Sequence, residues 1–250
     1  MPENRHLKSS ETVPANVGAQ LSAAHSGADL LEFYRARFAG QSDYRRRVWA
    51  VLSKFFSRWV PPEAHVLDLG CGWCEFINSI NCRTKFGMDL NPDSKSFANP
   101  DVRILEQDCS MPWNVEAESL DVVFTSNFLE HLPSKAALQN TLIHARRALK
   151  TGGCFIAMGP NIRCVPGAYW DFFDHYIPLT ERSLCELLVL HGFKIDYCRA
   201  CFLPYTMSRS SPTLLTKVYP LLVRAYLRCQ ILWPLFGKQF LVVGSKPFPG

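Results

Sequence analysis

Seven short, mostly apolar runs separated by helical patterns constrain this chain more than any other feature. The runs are His65–Leu69, Thr84–Asp89, 102–105, Leu120–Ser126, 154–158, 193–198 and 240–244. The first, HVLDL, reads as a strand buried on both faces of a parallel sheet. Helical spacing recurs around the runs. Tyr44, Val48, Val51, Leu52 and Phe55 stand three or four apart within 30–59, which Pro61 and Pro62 end. A short helix is expected to about Ile80. Leu138, Leu142, Ala145 and Leu149 predict a helix over 133–150, with Gly152-Gly153 as its stop. Thr180 caps a helix that ends at Gly192. Strands alternating with helices predict an α/β fold: an open, mostly parallel sheet with helices on both faces. Ligands of such sheets bind beyond the carboxyl ends of the strands, near the switch point. The end of His65–Leu69 is therefore the place to look.

Composition narrows the partners. The 250 residues are 48% hydrophobic and 20% charged, which excludes collagen-like and low-complexity chains. A net charge of +5 is too weak to demand nucleic acid, and none is expected as a partner. Residues 1–29 carry no apolar core of a secretory signal and read as a flexible arm. Residues 30–250 are expected to form one domain, with a helical insertion at about 204–238 between the last two strands. The ten cysteines are expected to be reduced thiols of a cytoplasmic protein. No apolar stretch is long enough for a spanning helix.

The loop after the first strand reads Asp68-Leu69-Gly70-Cys71-Gly72-Trp73-Cys74-Glu75. Two glycines allow a sharp turn and close approach of a ligand. A dinucleotide fingerprint would place its third glycine at position 75, where this chain carries Glu75. Glu75 and Asp68 make the loop better suited to a cationic ligand than to a pyrophosphate. Asp89 ends the second strand and is placed to accept both hydroxyls of a ribose. Asp108 follows the third strand and is placed to accept from an exocyclic amine such as that of adenine. A nucleoside carrying a cation is the natural ligand.

These residues carry a resemblance. VLDLGCG at 66–72, Asp89, Asp108 and LDVVFTSNFLEHL at 120–132 resemble class I S-adenosylmethionine-dependent methyltransferases, in particular the group that includes ubiquinone-type O-methyltransferases. The resemblance covers about 44–200 and the last strand. It implies a Rossmann-like seven-stranded sheet with an antiparallel last strand, and S-adenosyl-L-methionine as cofactor. It implies that Asp68, Gly70 and Gly72 line the methionine part. Asp89 would hold the ribose and Asp108 the adenine amine, with Leu90 and Cys109 as further cofactor-binding residues. Ser126 and Asn127 would close the site, and Arg47 would grip the cofactor carboxylate or lie on a solvated helix face. The family usually carries glycine where Cys74 stands, which is a departure in the path of the loop.

Other features admit two readings. The C-x-x-C pairs Cys71/Cys74 and Cys198/Cys201 have redox or zinc spacing. Residues three apart on a strand point to opposite faces, so buried, unreactive thiols and no metal are expected. His131 is either a base near the transferred methyl or a packing residue. The aromatic stretch 169–176 would form the acceptor wall, with Asp174 and His175 as catalytic candidates beside His131; its bland reading is a packed covering loop. Lys217, Arg224 and Arg228 share one helical face in 213–236. That segment is either a lid or a peripheral contact with the inner face of a membrane. The fourth strand ends Ser126-Asn127-Phe128-Leu129, unlike the Asn/Asp-Pro-Pro-Tyr/Phe expected of enzymes acting on adenine amines. The resulting expectation is methyl transfer to an oxygen of a small molecule, glycan or lipid-linked saccharide. The alternatives are a catalytically silent nucleoside-binding module and a nicotinamide-dependent oxidoreductase of the same fold class. Oligomeric state is not legible.

Overall fold

Strand β1 (His65–Leu69) begins a sheet continued in the chain by β2 (Thr84–Asp89), β3 (Val102–Glu106), β4 (Leu120–Ser126), β5 (Leu149–Pro160), β6 (Lys194–Arg199) and β7 (Gln239–Ser245). The spatial order is β3-β2-β1-β4-β5-β7-β6. β1 pairs in parallel with β2 on one side and β4 on the other. β7 runs antiparallel between β5 and β6. This is the expected mostly parallel sheet with its last strand reversed. The chain leaves β1 toward β2 and β3, then returns to β4, so the switch point lies between β1 and β4. The computed structural model describes residues 42–205 and 219–248; the expected arm at 1–29 lies outside them.

The helices are α1 (Ser42–Phe56), α2 (Glu75–Ser79), α3 (Ser94–Phe97), α4 (Lys135–Ala148), α5 (Glu181–Leu190), α6 (Tyr219–Arg228) and α7 (Trp233–Phe236). Two cores explain why the strands read as continuous apolar runs. Phe155 and Ala157 of β5 pack into one core with Leu138 and Leu142 of α4 and Leu184 and Leu188 of α5. Ile156 and Met158 pack into the other, with Val48 and Leu52 of α1 and Phe76 and Ile77 of α2. Successive strand residues point to opposite faces, so a strand covered on both sides has no polar position to spare.

The α4 helix departs from expectation. It ends at Ala148 rather than at the glycine pair, because Leu149 already pairs with Leu120 of β4. Sheet pairing outcompetes further helix here. Gly152, at φ +80°, lies within the long β5 instead and donates to Lys246 O at 2.8 Å. At α5 the expected Thr180 cap is present as a reciprocal box with Ser183. Thr180→Ala should lower stability by about 1 kcal/mol in chemical denaturation.

The described part of the insertion from Tyr219 onward turns one face inward. Val223, Tyr226 and Leu227 pack with α1, and the Tyr226 hydroxyl donates to Phe202 O at 2.7 Å. Trp233 is buried and donates from Nε1 to Tyr226 O at 3.0 Å. Arg224 and Arg228 are exposed, while Lys217 falls outside the described residues. No helix among the described residues is long and apolar enough to cross a membrane.

Candidate cofactor and acceptor site

The loop between β1 and α2 is tied to the end of β2. Gly70 and Cys71 donate to Met88 O at 2.8 and 3.1 Å. Three left-handed residues shape it: Gly70 at φ +67°, Gly72 at φ +49° and Cys74 at φ +59°. Cys74 thus occupies, as a non-glycine residue, a conformation that favours glycine, at a cost of about 1–2 kcal/mol. Its thiol is buried, 3.8 Å from Cys71 Sγ and 3.5 Å from Ser94 O, so packing offsets the strain. The Phe128 ring covers Gly70 so closely that a Cβ there would lie 2.2 Å from it. Gly72 is the opposite case: a Cβ there would meet no atom of the described residues within 4 Å. The loop therefore borders open space at Gly72.

The three acids do not stand alike. Asp68 is buried and takes the Ile77 backbone N–H; burial, then the Glu75 charge, hold its carboxyl well above the usual range. Asp89 accepts from Gly72 N and Asn91 N, both at 2.8 Å. Burial raises its pKa although these bonds pull the other way. A carboxylate has about four acceptor positions, so Asp89 retains capacity for hydroxyl donors. Leu90 beside it is exposed. Asp108 is also exposed and takes Ser110 N and Oγ on Oδ1, both at 2.8 Å. Cys109 is turned toward α4, its Sγ 3.4 Å from Thr141 Oγ1.

One expectation about charge needs correction. Glu75 does not present a bare carboxylate to the crevice, because Arg45 pairs with it through Nε and, at 3.2 Å, through Nη2. Both side chains are largely buried. Arg47 lies on the exposed face of α1, the second of its two expected placements, and Arg45 is the arginine that reaches the loop. The missed signal was helical phase: Arg45 stands three and four residues before the buried Val48 and Trp49. Arg45→Ala should cost about 1–2 kcal/mol by leaving Glu75 unpaired near Asp68, less than for a fully buried pair. Adding Glu75→Gln should recover part of the loss in denaturant melts.

At the end of β4, Asn127 adopts φ +50° and donates from Nδ2 to Ser126 Oγ at 3.0 Å. Its Oδ1 is buried with no hydrogen-bond partner among the described residues. Beyond it stands a cluster that sequence reasoning saw only in part. His131 Nδ1 lies 2.9 Å from Asp174 O and 3.1 Å from Asp174 Oδ2. A carbonyl only accepts, so Nδ1 carries the proton and Nε2 the lone pair in the neutral ring. Glu130 is 2% exposed, with Oε1 4.0 Å from Nε2. Burial opposes the imidazolium, but Asp174 and Glu130 outweigh it and raise the His131 pKa. His175 is buried among rings, 4.8 Å from His131, 4.7 Å from Tyr169 and 5.0 Å from Phe172. Glu130, His131 and His175 have ligand atoms within 4.8 Å of one another, close enough to hold a metal ion. Trp170, Phe173 and Tyr176 of the expected acceptor wall expose their rings, whereas Tyr169 is buried and donates to Ile177 O.

Of the two cysteine pairs, Cys71 and Cys74 stay together, whereas Cys198 and Cys201 diverge. Cys201 meets Cys164, with the sulfurs 3.5 Å apart, and Cys198 meets Cys185. All ten thiols are free.

Comparison with known proteins settles the family. A methyltransferase domain family matches residues 41–197. The chain belongs to this family. A search of curated proteins finds no match. Among solved structures, the methyltransferase is similar to one described as a complex of the Haloferax volcanii Trm112 methyltransferase activator with a methyltransferase. That likeness has 19% identity and a TM-score of 0.60, covering 84% of this chain and 97% of that one. A SAM-dependent methyltransferase from Archaeoglobus fulgidus follows at 21% identity and TM-score 0.57, covering 82% and 97%. A geranyl diphosphate C-methyltransferase from Streptomyces coelicolor A3(2), in complex with Mg2+, geranyl diphosphate and S-adenosyl-L-homocysteine, matches at 12% identity and TM-score 0.55, covering 80% of each chain. At these identities the likeness establishes the fold. The cofactor of this methyltransferase is S-adenosylmethionine. The open space at Gly72 and the unpartnered acceptor on Asn127 suit a ligand that brings its own N–H donors.

Proposed function

We propose that this methyltransferase acts on a hydroxyl oxygen, with His131 as the general base. The observation that supports this reading is the fixed tautomer of His131: Asp174 claims Nδ1–H and leaves Nε2 to receive a proton just beyond β4. When bound, S-adenosylmethionine supplies a methyl group already activated on a sulfonium, so the protein needs chiefly to align and to exclude water. Asp89 would accept from the ribose hydroxyls and Asp108 from the adenine amine. Asn127 Oδ1 would accept from the methionine ammonium. His131 would take the acceptor's proton as its oxygen forms the new bond to carbon, and Asp174 and Glu130 would stabilise the resulting imidazolium. The exposed aromatic rings of 170–176 suit a ring or a sugar face.

Turnover with a panel of phenols, sugars and aliphatic alcohols, read as S-adenosylhomocysteine release, tests this. Methyl ethers are the expected products. Products carrying the methyl on nitrogen or carbon would contradict the oxygen assignment. Binding of S-adenosylhomocysteine without turnover on any acceptor class would favour the silent binding module. Turnover abolished by a chelator and restored by a divalent cation would recast Glu130, His131 and His175 as ligands.

A further inference from the structure

A cavity of about 510 Å³ lies apart from the crevice at Gly72. Its walls are Val48 and Leu52 of α1, Val223 and Tyr226 of α6, Leu203, and Gln239 at the start of β7. Most of the lining is apolar; its polar members are Tyr44, Tyr205 and Tyr226, the exposed Lys238 and the buried Gln239. Gln239 is 1% exposed, and its Nε2 donates to Pro204 O at 3.0 Å. Since a carbonyl only accepts, that bond fixes which end of the amide is nitrogen. Oε1 is left buried with no hydrogen-bond partner among the described residues. A buried, unmet acceptor is destabilising and calls for a donor.

The surroundings narrow what brings that donor. Gln239 pairs with Pro160 at the carboxyl end of β5, on the rim of the sheet where the cofactor site also lies. Tyr205 of the wall packs 6.0 Å from Phe172, which stacks on His175 at 5.0 Å. The cavity is thus linked through two rings to the His131 cluster. At its edge, Leu222 and Phe236 are exposed apolar residues, and Leu221, Ile231 and Leu235 of the same segment are exposed as well. An apolar collar around an apolar cavity suits an amphiphile better than a polar metabolite. The volume falls within the usual range of about 300–1,000 Å³ for a small-molecule site.

We propose that this cavity binds the apolar body of the methyl acceptor, a hydrophobic molecule that carries, besides the hydroxyl to be methylated, an uncharged O–H or N–H donor that bonds Gln239 Oε1. Calling that molecule the acceptor rests on the methyl-transfer reading; the binding site itself does not.

The test uses the full chain and the neutral fluorophore N-phenyl-1-naphthylamine, displaced by 1-decanol or by decyl methyl ether. The two competitors share a chain, but only the alcohol donates. The alcohol should displace the probe at about five-fold lower concentration, the worth of one neutral hydrogen bond. Gln239→Met should erase that difference. Leu222→Trp, at a half-exposed position on the edge, should weaken both competitors while leaving S-adenosylhomocysteine affinity unchanged. If Gln239→Met fails to fold, the wild-type alcohol-to-ether ratio and Leu222→Trp still decide. No probe binding, equal displacement by the two competitors, or indifference to Leu222→Trp would overturn the proposal. Calorimetry with S-adenosylhomocysteine runs alongside. Its failure with probe binding intact would remove the methyl-transfer reading and leave the cavity site standing.

Discussion

Replacing His131 with alanine should lower kcat by about a hundred- to ten-thousand-fold, the usual contribution of a positioned general base, while S-adenosylhomocysteine binds as before. The pH profile carries the sharper test. A base works only when neutral, so activity falls as pH drops through the His131 pKa. Burial pulls that value down, but Asp174 and Glu130 overcome it and set it above the ordinary histidine value. The acid limb of kcat should therefore have its midpoint above about 6.5. Asp174→Asn removes the charge that favours the imidazolium and should move the midpoint to lower pH. A profile indifferent to Asp174 would return His131 to a packing role. Stability carries the opposite sign. A raised histidine pKa stabilises the fold fully below the unfolded value, and that contribution is lost as pH rises through the folded one. This methyltransferase should thus gain activity over the interval in which the His131 contribution to stability is lost.

Asp89→Ala should weaken S-adenosylhomocysteine by roughly 1–3 kcal/mol, the range for hydrogen bonds to a charged group and for the donors left unmet. Two effects converge there. The carboxylate is placed for the ribose, and it also holds the Gly72 and Asn91 amides. Asp89→Asn keeps an acceptor oxygen and should recover part of the loss. Unchanged calorimetric affinity in Asp89→Ala would remove the residue from the site.

The sheet was legible because central strands buried on both faces leave short, mostly apolar runs. β1, β2 and β4 match their expected bounds residue for residue. The end of α4 was not legible, because Leu149 fits the helical register and the sheet equally well and only its pairing with Leu120 decides. Asp89 could be read from position alone, as an acid closing an apolar run. Charge partners could not: Arg45, Arg46 and Arg47 are adjacent in sequence but about 100° apart around a helix, and phase alone separates the buried one from the solvated ones. Glu130 and Gln239 were overlooked for a related reason. Each is a polar residue within an apolar context, and burial becomes visible only when the neighbouring elements are in place. The departure at Cys74 is absorbed by packing and not by a change of backbone conformation. The residue keeps the left-handed conformation that a glycine would adopt and packs its thiol inward.

The most direct test of the account is calorimetric titration of the wild-type methyltransferase with S-adenosylhomocysteine and, separately, with NAD. The geometry at Gly72, Asp89 and Asn127 predicts saturable binding of S-adenosylhomocysteine and none of NAD. Saturable binding of NAD with no response to S-adenosylhomocysteine would contradict it.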